Sequence, residues 1–220
     1  MQTAFKVVYF SGMVIEIVLR VPYALQGRKT EKTDRRISFS ERTVLAALLL
    51  GTFLLPLGYA LAPWLRFADY SFPPGVAVAL GILGVPVLSA SVWVLWRAHC
   101  DLGANWSPSL EIASDQRLVT WGIYGMVRHP MYASLLLWGV AQALLLQNWI
   151  AGPASLVVFL LGYFVRVPRE ERMMLDHFGD EYRAYSCRTG RVLPRFGERS
   201  PRGRQEDAAD EARGGTRTAR

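Results

Sequence analysis

The sequence predicts an all-α integral membrane protein with about five transmembrane helices, a short C-terminal helical hairpin and cytoplasmic amphipathic helices. Three observations carry this expectation. The 220-residue chain is 51% hydrophobic, with a mean hydropathy of +0.18. Asp, Glu, Lys and Arg are absent from three long stretches, between Arg42 and Arg66, between Asp69 and Arg97, and between Arg128 and Arg166. Basic residues gather at alternate ends of these stretches.

The first span is expected at about 4–25. Lys6, Glu16 and Arg20 interrupt it, but Glu16 and Arg20 are spaced i,i+4 and can pair on one helical face. The acidic Glu16 and the lack of a small-x-small site favour a membrane anchor over a cleaved signal peptide. A charged loop follows over 26–42. The next two uncharged stretches each suit one helix, because about 20 apolar residues cross roughly 30 Å of hydrocarbon. The third is too long for one span and is broken at Gln147-Asn148 and Gly152-Pro153. It reads as a hairpin of two short spans, about 131–146 and about 149–165.

Between these spans, residues 97–127 are rich in Gly, Pro, Asn and Asp, and are expected to be partly ordered against the bilayer. Residues 166–178 continue the last span as a polar helix, which Gly179 stops. Asp180 caps a second helix through about Arg188, Gly190 ends it and Pro194 closes the ordered part. From Gly197 the tail has no apolar residue beyond alanine and is expected to be disordered. The sequence thus divides into N-terminal membrane helices at 1–99, a region bearing the polar motifs at 100–196 and a basic tail at 197–220.

Net charge is +7. Arg28, Lys29, Lys32, Arg35, Arg36 and Arg42 lie between spans one and two, and arginines recur from Arg166 to Arg220. Only Arg66 lies between spans two and three, and the hairpin turn has no basic residue. Positive-inside bias then places the N-terminus outside and the C-terminus in the cytoplasm. Orientation accounts for the arginines, so nucleic acid is not an expected partner. Membrane lipids are expected partners, with the tail touching anionic headgroups. Cys100 and Cys187 fall on the reducing side and lack metal-ligand spacing, as do the three histidines, so neither a disulfide nor a metal site is expected. His99 and His177 are expected at the surface. Trp64, Trp93, Trp96, Trp106, Trp121 and Trp149 are expected as interface anchors.

The polar motif "GMVRHPMYASLLLWG" (125–139) opens the hairpin. A tight external turn returns the far ends of both spans to one face. Arg128 and His129 are therefore expected beside Arg166, Arg169, Glu170 and Glu171, at the same depth. Pro130 suits the first turn of a helix, whose free amides, with Arg128, favour an anion. Glu170 and Glu171 favour a cation. A ligand carrying a carboxylate and a cationic centre suits this pair of poles. The same residues also suit a helix boundary whose basic side chains the glutamates neutralise, and charge placement alone does not choose.

"GIYGMVRHPMY", "REERMMLDHFGDEYRAY" and "GRVLPR", with the upstream "LGANWS", resemble the isoprenylcysteine carboxyl methyltransferase family and its phospholipid methyltransferase relatives. Several motifs occur in the family's order around a hydrophobic hairpin, over about 100–195. The resemblance implies a multi-span enzyme that uses S-adenosylmethionine to methylate a lipophilic acceptor. An isoprenylcysteine-like carboxylate is the favoured acceptor. It further implies cofactor contacts from Gly122, Tyr124, His129, Tyr132, Glu170, Glu171, Tyr182 and Tyr185. Arg128 matches the signature arginine, and Arg166 matches an arginine the family places near the acceptor. Ser134 stands where many members have glycine, which is expected to loosen a helix contact and to bear on acceptor identity. A sterol-type reductase using NADPH and a non-enzymatic membrane scaffold are the competing classes. The chain is short for the first, and the intact R-H-P-x-Y and E-E motifs disfavour the second.

Overall fold

The computed structural model describes residues 1–27, 32–35, 39–103, 111–113 and 117–195. The expected disorder of 197–220, Trp106 and most of "LGANWS" lie outside the described residues. The described chain is mostly helical. Helix α1 (Gln2–Gly27) is followed by α2 (Phe39–Leu49), a π-helical turn (Leu50–Leu54) and α3 (Leu55–Leu61). Helix α4 (Pro74–Leu102) leads to α5 (Pro130–Leu146) and α6 (Ala154–Arg188). One departure from all-α is a small antiparallel ladder, β1 (Lys32–Arg35) on β2 (Glu111–Ala113). It joins the α1–α2 and α4–α5 connections, so both lie at the same end of the bundle.

Around a core that includes Leu88, Trp138 and Leu145, burial departs from that of a water-soluble bundle. Val18, Leu61, Ile82, Leu161 and Phe164 face outward, while Thr52, Ser91, Ser134, Gln142 and Ser155 are buried. Helices packed in hydrocarbon gain little by hiding leucine and more by pairing small and polar residues with one another. Two helical rods, Thr43–Leu61 and Pro74–Leu102, are long and apolar enough to cross a membrane. Helix α5 has 17 residues, about 25 Å of helix.

Many of the inner polar groups pair with one another. The hydroxyls of Ser91 and Ser134 each donate to the other's backbone carbonyl, at 2.8 and 2.9 Å, and bind α4 to α5. The π-helical turn diverts carbonyls from the regular ladder. Gly51 O accepts from Gln142 Nε2 at 2.9 Å, and Thr52 O accepts from the Tyr9 hydroxyl at 2.6 Å. At the far end, Asn148 stabilises the hairpin turn by accepting from the amides of Ile150 and Ala151. Its side-chain amide donates to Leu65 O and Asp69, fastening the turn to the α3–α4 connection.

Two expectations are corrected. The second hairpin helix begins at Ala154, not near 149, because the Asn148-centred turn uses the residues before Pro153. His99 is buried, not on the surface: its Nδ1 lies 2.9 Å from Leu95 O within α4, and Tyr23 packs on its ring. Gly179 does interrupt α6, with φ +55° and ψ −125°.

Candidate active site

The site forms where the start of α5 meets the polar half of α6. Pro130 occupies the first turn of α5, with His129 as the preceding cap residue. The segment after α6 returns to lie beside this start. Arg128 N–H donates to Gly190 O at 2.8 Å and His129 N–H to Arg191 O at 2.9 Å. Gly190 is required by space: a Cβ there would stand 1.8 Å from Leu193 O.

Glu171 is the hub of this junction. Arg128 donates to it through Nε and Nη2 at 3.2 and 3.0 Å. Arg191 grips it with two bonds, at 3.1 and 2.7 Å. His129 Nε2 lies 3.4 Å away. Burial opposes ionisation of Glu171, but His129, Arg191 and Arg128 outweigh it and hold its carboxyl down at about 2. The remaining Arg128 donor, Nη1, reaches Ser186 O at 2.7 Å and the Thr189 carbonyl. Arg128 therefore spends its donors inside the protein, which corrects the expectation that it offers them to a ligand carboxylate.

Glu170 is held differently. Its Oε2 accepts from the Tyr132 hydroxyl at 2.9 Å, and its Oε1 lies 3.6 Å from His129 Nδ1. Protein surrounds it, yet 29% of its side chain stays exposed, because it lines a cavity. Burial works against its charge, and His129, Tyr132 and Arg166 together lower its pKa below the ordinary value. Burial likewise works against the His129 imidazolium, but Glu170 and Glu171 overcome it and raise the ring to about 9. His129 is thus a cation at neutral pH.

The cavity holds about 520 Å³. Its polar end is formed by His129, Tyr132, Arg166, Glu170, Tyr182 and Tyr185, and its long walls by apolar side chains of α1, α2, α5 and α6. The Tyr185 hydroxyl is spent on Tyr124 O at 2.7 Å. The Tyr182 hydroxyl is buried with no hydrogen-bond partner among the described residues. Leaving such a donor unmatched costs about 1–3 kcal/mol.

Most of the sequence-chosen residues therefore meet around one cavity: Tyr124, Arg128, His129, Tyr132, Arg166, Glu170, Tyr182 and Tyr185 line it, with Glu171 behind them. Two are placed elsewhere. Gly122 forms a turn at φ +62°, where a Cβ would stand 2.2 Å from Asp101, and it does not line the cavity. Ser134 faces α4, so its substitution for glycine bears on helix packing and not on the cavity wall. Sequence reasoning missed Arg191, although it sits in the "GRVLPR" motif, because nothing local shows that it folds back on Glu171.

Comparison with known proteins bears out the resemblance. Residues 82–176 match the model of the isoprenylcysteine carboxyl methyltransferase (ICMT) family. Protein-S-isoprenylcysteine O-methyltransferase B of Arabidopsis thaliana is 28% identical over 153 residues, covering 66% of this chain and 78% of that one. The protein-S-isoprenylcysteine O-methyltransferase of Saccharomyces cerevisiae is 34% identical over 140 residues, covering 61% and 56%. The solved structure of the eukaryotic intramembrane Ras methyltransferase ICMT aligns at 24% identity and a TM-score of 0.41, covering 72% of this chain and 54% of that one.

Proposed function

We propose that this relative of the isoprenylcysteine carboxyl methyltransferases is a membrane-embedded, S-adenosylmethionine-dependent methyltransferase whose acceptor is a lipophilic carboxylate of the isoprenylcysteine kind. The observation that carries the reading is the form of the cavity: a polar end where anionic Glu170 stands with cationic Arg128, His129 and Arg166, opening on apolar walls in the membrane-facing bundle.

The residues fit the cofactor. Glu170 suits its ammonium, the unmatched Tyr182 hydroxyl suits a polar group on it, and the N-terminus of α5 with the His129 imidazolium suits its carboxylate. Bound there, S-adenosylmethionine supplies a methyl group on a sulfonium. The chain itself supplies position and charge. A carboxylate acceptor needs no base, so Arg166 orients it by a paired contact, while the apolar walls keep out water that would weaken that contact. Glu171, Arg128 and Arg191 act behind the site, holding His129 and the start of α5 in place.

Positive-inside bias supports five spans with the N-terminus outside, and with the C-terminus and the polar end of the cavity at the cytoplasmic boundary. The division into 1–99, 100–196 and 197–220 is then one of sequence, since α1 and α2 help wall the cavity.

The test is transfer of labelled methyl from S-adenosylmethionine by detergent-purified protein. A base-labile methyl ester on N-acetyl-S-farnesylcysteine is expected. Label appearing only in phospholipid amines, or binding of NADPH in preference to S-adenosylhomocysteine, would refute the reading.

A further inference from the structure

Asp101 is a buried acid that the proposed chemistry does not use. It stands in the last turn of α4, is 5% exposed and does not line the cavity. The end of a helix carries partial negative charge, which disfavours a carboxylate there. Local structure therefore gives no reason for Asp101, and its partners do. Its Oδ1 accepts from Arg97 Nη2 at 2.7 Å, one turn back on the same helix. Its Oδ2 accepts from the backbone N–H of Ile123 at 2.8 Å, across 22 residues of chain.

That second contact fixes a turn of the site. Gly122, at φ +62°, lies directly on the carboxylate, where a Cβ would stand 2.2 Å from Oδ2. Ile123 is then held at both ends. Asp101 holds its N–H, and its carbonyl accepts from the amides of Met126 and Val127, each at 3.1 Å. Of the four residues in this 3-10 turn, Gly122–Gly125, Tyr124 lines the cavity. Tyr124 is 8% exposed, and its carbonyl accepts from the Tyr185 hydroxyl at 2.7 Å. Tyr185 lines the cavity as well. Two tyrosines of the polar end are thus tied, through the Ile123 peptide, to the end of α4. The same turn leads on through Val127, which pairs with Gly190, to Arg128 and His129.

We infer that Asp101 is a positioning residue for the cofactor side of the cavity: its carboxylate holds the Ile123 amide, and through that amide sets where Tyr124 and Tyr185 stand. The inference rests on the proposed binding of S-adenosylmethionine at the polar end. Asp101 acts without touching the ligand, and what it contributes is a placed acceptor oxygen, not a charge. Asparagine offers the same oxygen, and Arg97, whose side chain is 35% exposed, can then turn to water. Leucine fills about the same space and leaves the Ile123 N–H unmatched.

The experiment compares wild type, Asp101→Asn, Asp101→Leu and Asp101→Glu as full-length proteins in detergent. Affinity for S-adenosylhomocysteine is read by titration, and KM for S-adenosylmethionine and kcat are read on N-acetyl-S-farnesylcysteine. Asp101→Leu is expected to weaken S-adenosylhomocysteine binding and raise KM roughly tenfold, the effect of a buried donor losing its partner. Its kcat at saturating cofactor is expected to stay close to that of wild type, the pattern of lost binding and not of lost chemistry. Asp101→Asn is expected to restore both binding and KM. Asp101→Glu keeps the charge and the Arg97 pair but misplaces the oxygen, and is expected to resemble leucine; it carries the test if the leucine variant does not fold. A merely structural Asp101 gives the opposite split, a lower kcat per mole of protein with KM unchanged. That split, wild-type binding in both the leucine and glutamate variants, or an asparagine variant as poor as leucine overturns the inference and leaves the proposed function standing. A folded wild type that binds no S-adenosylhomocysteine overturns the proposed function, and this inference with it.

Discussion

Replacing Glu171→Gln tests whether the two adjacent glutamates divide their work as the geometry indicates. Glu171 sits among Arg128, Arg191 and His129 and is 16% exposed. Its carboxyl is held at about 2 against an ordinary 4.5, which by linkage is worth about 3 kcal/mol of folded-state stability. The raised His129 value is largely the same attraction seen from the other partner, so it is not added. Removing one member of a buried charge cluster costs about 3–5 kcal/mol by direct comparison, which agrees. For a chain of this size each kcal/mol moves the melting point by about 2–4 °C, so a fall of roughly 6–12 °C is expected. Glu170→Gln should differ, because Glu170 faces the cavity and is held by one hydroxyl and one longer ion pair. Its melting point should move far less, while affinity for S-adenosylhomocysteine should fall about tenfold or more. Thermal unfolding of both variants in detergent, with a binding titration on each, reads the contrast. Equal melting points for Glu171→Gln and wild type, or the larger binding loss falling on Glu171→Gln, would refute the division.

The remaining expectations are briefer. Stability carried by the cluster should depend on pH at both ends. The Glu171 contribution is present above about pH 4.5 and lost as pH falls through about 2, and the His129 contribution is complete below about pH 6.5 and lost as pH rises through about 9. The melting point should therefore decline between pH 6.5 and 9, and a His129→Gln variant that declines equally would sink this. Arg166→Lys should leave cofactor affinity nearly unchanged and lower methyl transfer strongly, because lysine lacks the planar fork; normal turnover at saturating cofactor would make Arg166 a membrane anchor instead. Ser134→Gly should lower stability by about 1–2 kcal/mol through loss of its hydrogen bonds to Ser91 while leaving acceptor preference alone; a changed preference would show that α4 packing shapes the cavity. A reporter fused after Arg220 should behave as cytosolic, and finding it outside would overturn the topology.

The helical hairpin was legible because its signal is local. A charge-free stretch too long for one span, broken by Gln147-Asn148, can only fold back. That return in turn brought Arg128 and His129 beside Glu170 and Glu171 without further information. What escaped depends on side-chain direction at a distance. Arg128 and Arg191 are equally basic on paper, but only the folded chain shows both turned onto Glu171. His99 looked like a surface residue next to charged neighbours, yet helix phase turns it inward against Tyr23. The π-helical turn at Leu50–Leu54 stands just before Pro56, which has no N–H to offer Thr52 O, but that Tyr9 supplies the missing donor from another helix is visible only in the fold.

Glu16 shows how far an apolar outer face changes the reading of a charge. In a water-soluble helix an i,i+4 Glu–Arg pair is an exposed ornament worth a few tenths of a kcal/mol. In a bundle whose outer face is Val14, Val18 and Val21, the same pair can avoid hydrocarbon only by turning inward. Inside, Tyr9, Gln142, Ser91 and Ser134 each find partners on neighbouring helices. Glu16 keeps one buried oxygen without a partner among the described residues, on a side chain that lines the same cavity as Glu170 and Tyr182. Arg20 Nε and the Tyr182 hydroxyl share that condition among the described residues, so unmatched polar atoms gather on residues around this one cavity while the polar pairs between helices are closed.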